Sequence, residues 1–481
     1  MDTVDRLAVQ GHLIGDRWAP SSVGGTYLHR YAANGQVQAE VGLAGVKDVD
    51  LAVAAARAAQ PAWAALGAEA RREVLRELAG LLDEHRHEAA ELAALDNGTP
   101  VSVLRPGRYT AAWVRAYADM ATTLVDEELE VERGGARLRR VPYGVVGVIP
   151  PWNGSMVGMG QKCGPALAAG NTVVAKPPEL APFGMLRFAE LALEAGVPPG
   201  VLNVVVGGAT TGAALAAHPD IDKLTFTGGA GTARAVMTLA AQSLTPLALE
   251  LGGKSPNIIF ADADLDVAAT LAARSGTALL SGQGCALPTR TYVHEDVYDE
   301  VAERILAVLA TLPVGDPLDP DTVVGPVVTE AAMERILGVI AGARSDGAAL
   351  LVGGERLGGE MSEGWFVAPT VFGNVDHDSP LAREEVFGPV QALLRFSTES
   401  EVLAKANDTP YGLAAYVHTA DPDRLERMVD GIGAGVVVAN SFGNLSPMTP
   451  FGGVKQSGFG REGGRAGIEE MVQIKTVLSD R

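Results

Sequence analysis

The spacing of apolar positions divides the chain into regions of different rhythm. Between residues 48 and 95 the period is helical, with Val74, Leu75, Leu78, Leu81 and Leu82 on one face. Pro61 and Gly67 are expected to break this run into pieces. From Tyr143 short apolar runs take over, each closed by proline or glycine. They predict buried strands at 144–149, 171–176, 201–206, 223–227 and 247–251. A helical segment follows the second of them, running to Glu194. Strands alternating with helices imply right-handed crossovers and a parallel sheet. Ligands of such sheets sit at the carboxyl ends of the strands. That is where Pro150-Pro151, Pro177-Pro178, Gly207-Gly208 and Gly228-Gly229 fall.

A second α/β section runs from about 253 to 440. It predicts a strand at 257–260, a helix at 265–280 capped by Asp264, and a strand at 289–294, with Cys285 in the loop before it. Helix–strand units continue through 305–312, 367–371 and 390–396. The tail from 435 is glycine-rich and ends in an apolar strand candidate at 473–478. No internal repeat or low-complexity linker interrupts the chain. The fold class is α/β.

A chain of 481 residues is too long for one core and allows two or three domains. The net charge, 38 − 58 = −20, with no basic stripe, argues against nucleic acid and against an anionic membrane surface. Residues 141–161 carry no charge and are long enough to suggest a membrane span. They hold Pro142, Pro150, Pro151 and five glycines, which excludes one. The acidic N-terminus has no signal-like apolar stretch, so a soluble cytoplasmic protein is expected. Two cysteines make no disulfide framework, and the histidines show no zinc spacing, so no metal is expected.

Four places hold candidate chemistry. Cys285 lies among small neighbours (Ser281-Gly-Gln-Gly-Cys-Ala286) that leave a sulfur open to substrate, although a free cysteine is often just a small buried hydrophobe. Cys163, in an apolar helix before Gly164-Pro165, reads as structural. Glu250 stands where an apolar strand meets two glycines. Burial there raises a carboxyl pKa and suits a general base, while a solvated strand-end glutamate is the plainer alternative. Asn153, in a rigid loop after two prolines, can offer an N–H to a developing oxyanion or be an ordinary turn residue. Lys176 and Glu179 can bind ribose hydroxyls or form a surface ion pair. No strand is followed by G-x-G-x-x-G; Gly207-Gly-Ala-Thr-Thr-Gly212 lacks the central glycine.

Taken together, the motifs make the chain resemble the aldehyde dehydrogenase superfamily over nearly its whole length. They run from Leu13-Ile-Gly-Asp-Arg-Trp18 through Pro151-Trp-Asn153, Lys176-Pro-Pro-Glu179, Phe226-Thr-Gly-Gly229 and Glu250-Leu-Gly-Gly-Lys-Ser-Pro256. They continue with Gly282-Gln-Gly-Cys285, Glu384-Glu-Val-Phe-Gly-Pro389 and Tyr411-Gly-Leu413 to the segment from Pro450 to Glu462. The resemblance implies that Cys285 attacks the aldehyde and that Asn153, with the Cys285 N–H, holds the oxyanion. Hydride leaves for nicotinamide, and Glu250 activates water to release the acid. It implies cofactor contacts from Trp152, Lys176, Glu179, Gly228, Gly229, Glu385 and Phe387, and a structural or electrostatic role for Lys162 beside Asn153. The Glu179 carboxylate, accepting from both ribose hydroxyls, should favour NAD over NADP.

The implied fold has a Rossmann-type cofactor domain (1–123 and 143–252), an α/β catalytic domain (253–456), and a small β extension (124–142 and 457–481) that pairs subunits into a homodimer or homotetramer. Gly154 and Ser155 stand where many relatives carry an aromatic residue and a proline, and Leu445 stands where an aromatic often narrows the tunnel. With Tyr109, Trp113, Met156 and Phe451 as further wall candidates, a roomy, mostly apolar tunnel is expected. It would suit bulky, long-chain, aromatic or terpenoid aldehydes. The rival readings are acyl transfer to coenzyme A, against which Glu250 weighs, and a catalytically silent binding or structural protein on the same scaffold.

Overall fold

The computed structural model describes residues 4, 11–20, 23–103, 105–132, 134–442 and 446–479. An eight-stranded sheet has a parallel centre, in spatial order Leu247–Leu251, Lys223–Gly228, Val145–Ile149, Thr172–Ala175 and Leu202–Val204. Antiparallel strands close both edges: Gly458–Phe459 at one, His12–Ile14 followed by Arg17–Ala19 at the other. Val145–Ile149 and Thr172–Ala175 are buried along their whole length, so they read as unbroken apolar runs without alternation. The chain order reverses at Val145–Ile149: the next strand in sequence lies on one side of it and Lys223–Gly228 on the other. That reversal opens a crevice at the carboxyl ends, where a parallel sheet takes its ligand.

A seven-stranded sheet forms the second body, in order Ala349–Val352, Thr370–Gly373, Val390–Phe396, Arg290–His294, Pro256–Ile259, Ala414–His418 and Val436–Ala439. Only Ala349–Val352 runs antiparallel to its neighbour. A three-stranded antiparallel sheet joins Val472–Ser479, Gly135–Pro142 and Glu127–Leu129, and a separate hairpin pairs Thr26–Arg30 with Val37–Gly42. Among the described residues no helix is long and apolar enough to cross a membrane.

Several expectations need correction. Pro61 does not end its helix, which runs through Val46–Ala65; Gly67, with φ +83°, makes the break. Of the later helix–strand units, 305–312 falls on the end of the helix Tyr298–Leu309, and 367–371 overlaps the strand Thr370–Gly373. Asp264 does cap its helix, accepting from the Val267 N–H at 3.1 Å. That helix stops at Ala273, not 280, and the next five residues widen into a π turn. Residues 457–469 leave the expected β extension. Gly458–Phe459 hydrogen-bonds to Leu249 and Glu250 in the cofactor sheet, and Gly464–Glu469 packs on the helices Pro106–Ala121 and Ser155–Ala168.

Candidate active site

The nucleophile loop is built from backbone strain. Leu280 and Ser281 (φ +52°) and Gly282 (φ +71°) are three successive left-handed residues, a conformation that costs free energy for side chains and persists only where neighbours hold it. Three anchors do so. The Ser281 hydroxyl donates to the Gly325 carbonyl at 2.8 Å. Gln283 donates from Nε2 to the Leu280 carbonyl and accepts the Val328 N–H at 3.0 Å on Oε1. A Cβ on Gly282 would stand 2.0 Å from the Gly388 carbonyl oxygen, so only glycine fits. Cys285 follows, partly exposed. Gly284, expected to clear space for the sulfur, instead yields room to the Leu287 side chain; Gly253 lies against the Cys285 carbonyl.

Asn153 reaches this loop from the switch-point strand. Its Nδ2 donates to the Gln283 carbonyl at 2.8 Å, placing a side-chain donor two residues from the nucleophile. The Asn97 amide holds the Asn153 turn from behind, donating to the Trp152 carbonyl at 3.0 Å. Glu250 lies in the strand next to Gly458–Phe459, 5% exposed, and neither of its carboxylate oxygens has a hydrogen-bond partner among the described residues. Gly452 gives it room, since a Cβ there would come within 2.6 Å of its Oε1. Burial, then the charge of Glu462, pushes Glu250 up to about 9. The Cys285 thiol is pushed up to about 12 by burial, then by Glu385 and Glu250. Lys162 is buried, donating to Glu462 at 2.5 Å and to the Thr225 hydroxyl at 3.0 Å, so an ion pair lies within electrostatic reach of Glu250.

The crevice has the makings of a dinucleotide site. Gly229 begins the helix Ala230–Ala240, and Cβ atoms at Gly229 and Gly231 would meet nothing within 4 Å. Open backbone at a positive helix end suits a pyrophosphate. Gly228 is required differently, by the Phe226 ring 2.5 Å from where its Cβ would be. Lys176 donates to the Gly207 carbonyl at 2.7 Å, and burial lowers it to about 8. Glu179 lies beside Gly208. At the other end Trp152 and Phe387 meet edge to face at 5.6 Å. Glu385 accepts the Gly253 N–H at 3.2 Å, and burial raises it to about 7. Phe387 has φ +51°, held by Arg335 donating to the Val386 carbonyl at 2.7 Å.

The tunnel candidates divide. Tyr109 is 42% exposed, and Phe451 is half-buried and paired with Glu462 through backbone hydrogen bonds. Gly154 has only the Pro151 ring near its would-be Cβ. Trp113 and Met156, each 1% exposed, correct the expectation: both pack into the main core and give no face to open space. Leu445 lies outside the described residues. Sequence reading gave no role to Gln283, although it lies within the Gly282–Cys285 motif, or to Asn97, which belongs to no motif; both act as backbone clamps. It also missed Glu462 as the partner of Lys162, 300 residues away, and Lys254, which is buried with an unpartnered Nζ. Burial, then the charge of Arg290, lowers Lys254 to about 7.

The family model of the aldehyde dehydrogenase family matches residues 18–477. The fold superposes on PnpE from Pseudomonas sp. WBC-3 with a TM-score of 0.95 at 38% identity, covering 98% of this chain and 97% of that one. Betaine aldehyde dehydrogenase from Staphylococcus aureus, in complex with NAD+, gives 0.94 at 33% identity, covering 98% and 95%. An NADP-dependent enzyme of E. coli gives 0.94 at 36%, covering 98% of each. A strained cysteine loop, a buried carboxylate and a dinucleotide crevice define an oxidoreductase that works on a carbonyl. The chain belongs to the aldehyde dehydrogenase family and is an aldehyde-oxidising enzyme.

Proposed function

We propose that this enzyme oxidises bulky or long-chain apolar aldehydes to carboxylic acids with NAD and water, through a covalent intermediate on Cys285. The reading rests chiefly on Glu250: a buried carboxyl with no hydrogen-bond partner among the described residues, near enough to raise the Cys285 pKa and itself pushed up to about 9, so that it becomes a strong base as the pH rises. Cys285 Sγ adds to the aldehyde carbon once its proton has left. Asn153 Nδ2 and the Cys285 N–H hold the oxygen that becomes negative. Bound nicotinamide supplies the hydride acceptor. Trp152, Phe387 and Glu385 shape the pocket for its ring and ribose, and Lys176 and Glu179 hold the adenosine ribose. Glu250 then takes a proton from water attacking the thioester, and the acid leaves as the C–S bond breaks. PnpE also has a structure with nicotinamide adenine dinucleotide, while the E. coli relative is named NADP dependent. Glu179 beside Gly208 favours NAD, because a carboxylate there repels a 2′-phosphate.

The open ground beside Gly154 supports the bulky apolar substrate class. A homodimer or homotetramer is supported by the three-stranded sheet, where Ile474 and Leu478 are 64% and 75% exposed on a terminal edge strand. A monomer in light scattering would contradict that.

The test is NADH formation at 340 nm over an aldehyde panel. Decanal and benzaldehyde should exceed acetaldehyde and short semialdehydes in kcat/KM, and the reverse order overturns the substrate class. Stimulation by coenzyme A with an acyl-CoA product would overturn hydrolysis by Glu250.

A further inference from the structure

The hairpin of Thr26–Arg30 and Val37–Gly42 reaches the cofactor domain through a histidine. Along Thr26–Arg30 the usual order is inverted: Leu28 is 51% exposed, while His29 is the strand's only buried residue. The register shifts between His29 and Arg30, and an irregularity of this kind re-aims a side chain. Burying a ring with two polar nitrogens costs free energy unless both are satisfied, and here both are. Gln38 Nε2 donates to the Leu95 carbonyl at 2.9 Å and to His29 Nδ1 at 3.2 Å. Nδ1 is therefore an acceptor, and the ring proton sits on Nε2. Nε2 donates it to the Leu180 carbonyl at 3.0 Å. Burial lowers His29 to about 4, so the ring is neutral at pH 7 and this arrangement holds.

Leu180 directly follows Glu179, in the turn beyond the strand Thr172–Ala175. The Ala181 N–H closes the base of that turn, donating to the Pro178 carbonyl at 3.3 Å. Asp96 holds its far side, accepting the Phe183 and Gly184 N–H groups at 2.9 and 2.8 Å. The His29 ring packs on Phe183 as well, with centroids 4.7 Å apart. Tyr27 stands two residues before His29 on the same strand face, and burial, then the charge of Glu179, raises its pKa. The hairpin therefore lies against both residues of the turn. We propose that His29 is a positioning residue for cofactor binding: its Nε2–H fixes the Leu180 carbonyl and so sets where the Glu179 carboxylate meets the adenosine ribose of NAD. This rests on the reading above that Lys176 and Glu179 hold that ribose. His29 acts through the backbone of the turn, at the cofactor end far from the Cys285 anchors at Gly325 and Gly388, so its effect belongs to NAD affinity and not to the chemical step.

The test compares the parent enzyme with His29→Leu, His29→Gln, Gln38→Leu and Glu179→Gln, by KM for NAD and for aldehyde, by kcat, and by the Kd of NAD from quenching of protein fluorescence. His29→Leu removes the donor and should weaken NAD by about tenfold in Kd and KM, the scale of one net hydrogen bond, with kcat and the aldehyde KM within about twofold of the parent. His29→Gln keeps an N–H donor and should recover most of the NAD affinity. If His29 served packing alone, leucine would be the better replacement and that order would reverse. Gln38→Leu, at a half-exposed position, should weaken NAD in the same direction by a smaller factor, and it carries the test where His29→Leu does not fold. NAD affinity unmoved in His29→Leu, or in Gln38→Leu where the first variant does not fold, overturns the positioning role of His29 alone. So does a glutamine variant no better than the leucine one. NAD affinity and the NAD over NADP ratio both unmoved in Glu179→Gln overturn the ribose reading and this inference with it.

Discussion

The two groups that perform the covalent chemistry are held in opposite ways. Cys285 ends a loop in which every step is fixed: left-handed backbone at 280–282, a hydroxyl anchor, a doubly bonded Gln283, and a glycine that a single methyl would drive into Gly388. Glu250, close enough to raise the Cys285 pKa, is buried but makes no hydrogen bond through its carboxylate among the described residues, with Gly452 leaving space at its oxygen. A nucleophile benefits from a fixed position, because attack depends on alignment. A base that must reach the proton of an attacking water benefits from freedom to move. The contrast therefore divides positioning from proton transfer.

The comparison can be broken in order of effect. Cys285→Ala should abolish NADH formation, by about 10⁴-fold or more, since no other group can form the thioester. Residual turnover within tenfold of the parent would displace it as nucleophile. Asn153→Ala should lower kcat by about 10²–10³-fold, the range for one oxyanion donor. An effect confined to KM would make it a binding residue. Gly282→Ala should lose roughly 10²-fold in kcat and several degrees of thermal midpoint, because strain and a backbone clash coincide. A neutral result would mean the loop is not locked.

The other side of the comparison titrates. With Glu250 at about 9, its base form is a minority at pH 7 and grows about tenfold per unit up to that point. Turnover should rise from pH 7 to 9, and Glu250→Gln should lose that limb; a flat parent profile would place the base elsewhere. The smallest effect is expected at the cofactor's far end, where Glu179→Gln should narrow the NAD over NADP ratio in kcat/KM by about tenfold.

Much of this was legible in the residues. The strands of the cofactor sheet showed as apolar runs because burial on both faces removes alternation, and 247–251 and 390–396 coincide with observed strands. Cys285, Glu250, Asn153 and Glu385 stood out through motifs. The helix expected to reach 280 was not legible as broken, because its sequence stays apolar while tertiary anchors at Gly325 and Gly388 force the left-handed turn. Trp113 and Met156 have the size of wall residues, and only packing shows that they face the core. Lys162 and Glu462 are joined by topology alone.

The central claim, that Cys285 forms the bond and Glu250 releases the product, is tested most directly by rapid-mixing measurement of NADH with Glu250→Gln. The account expects a burst approaching one equivalent per active Cys285, followed by steady turnover at least about 10²-fold below the parent. Steady turnover close to the parent's, with no separable burst, would contradict it.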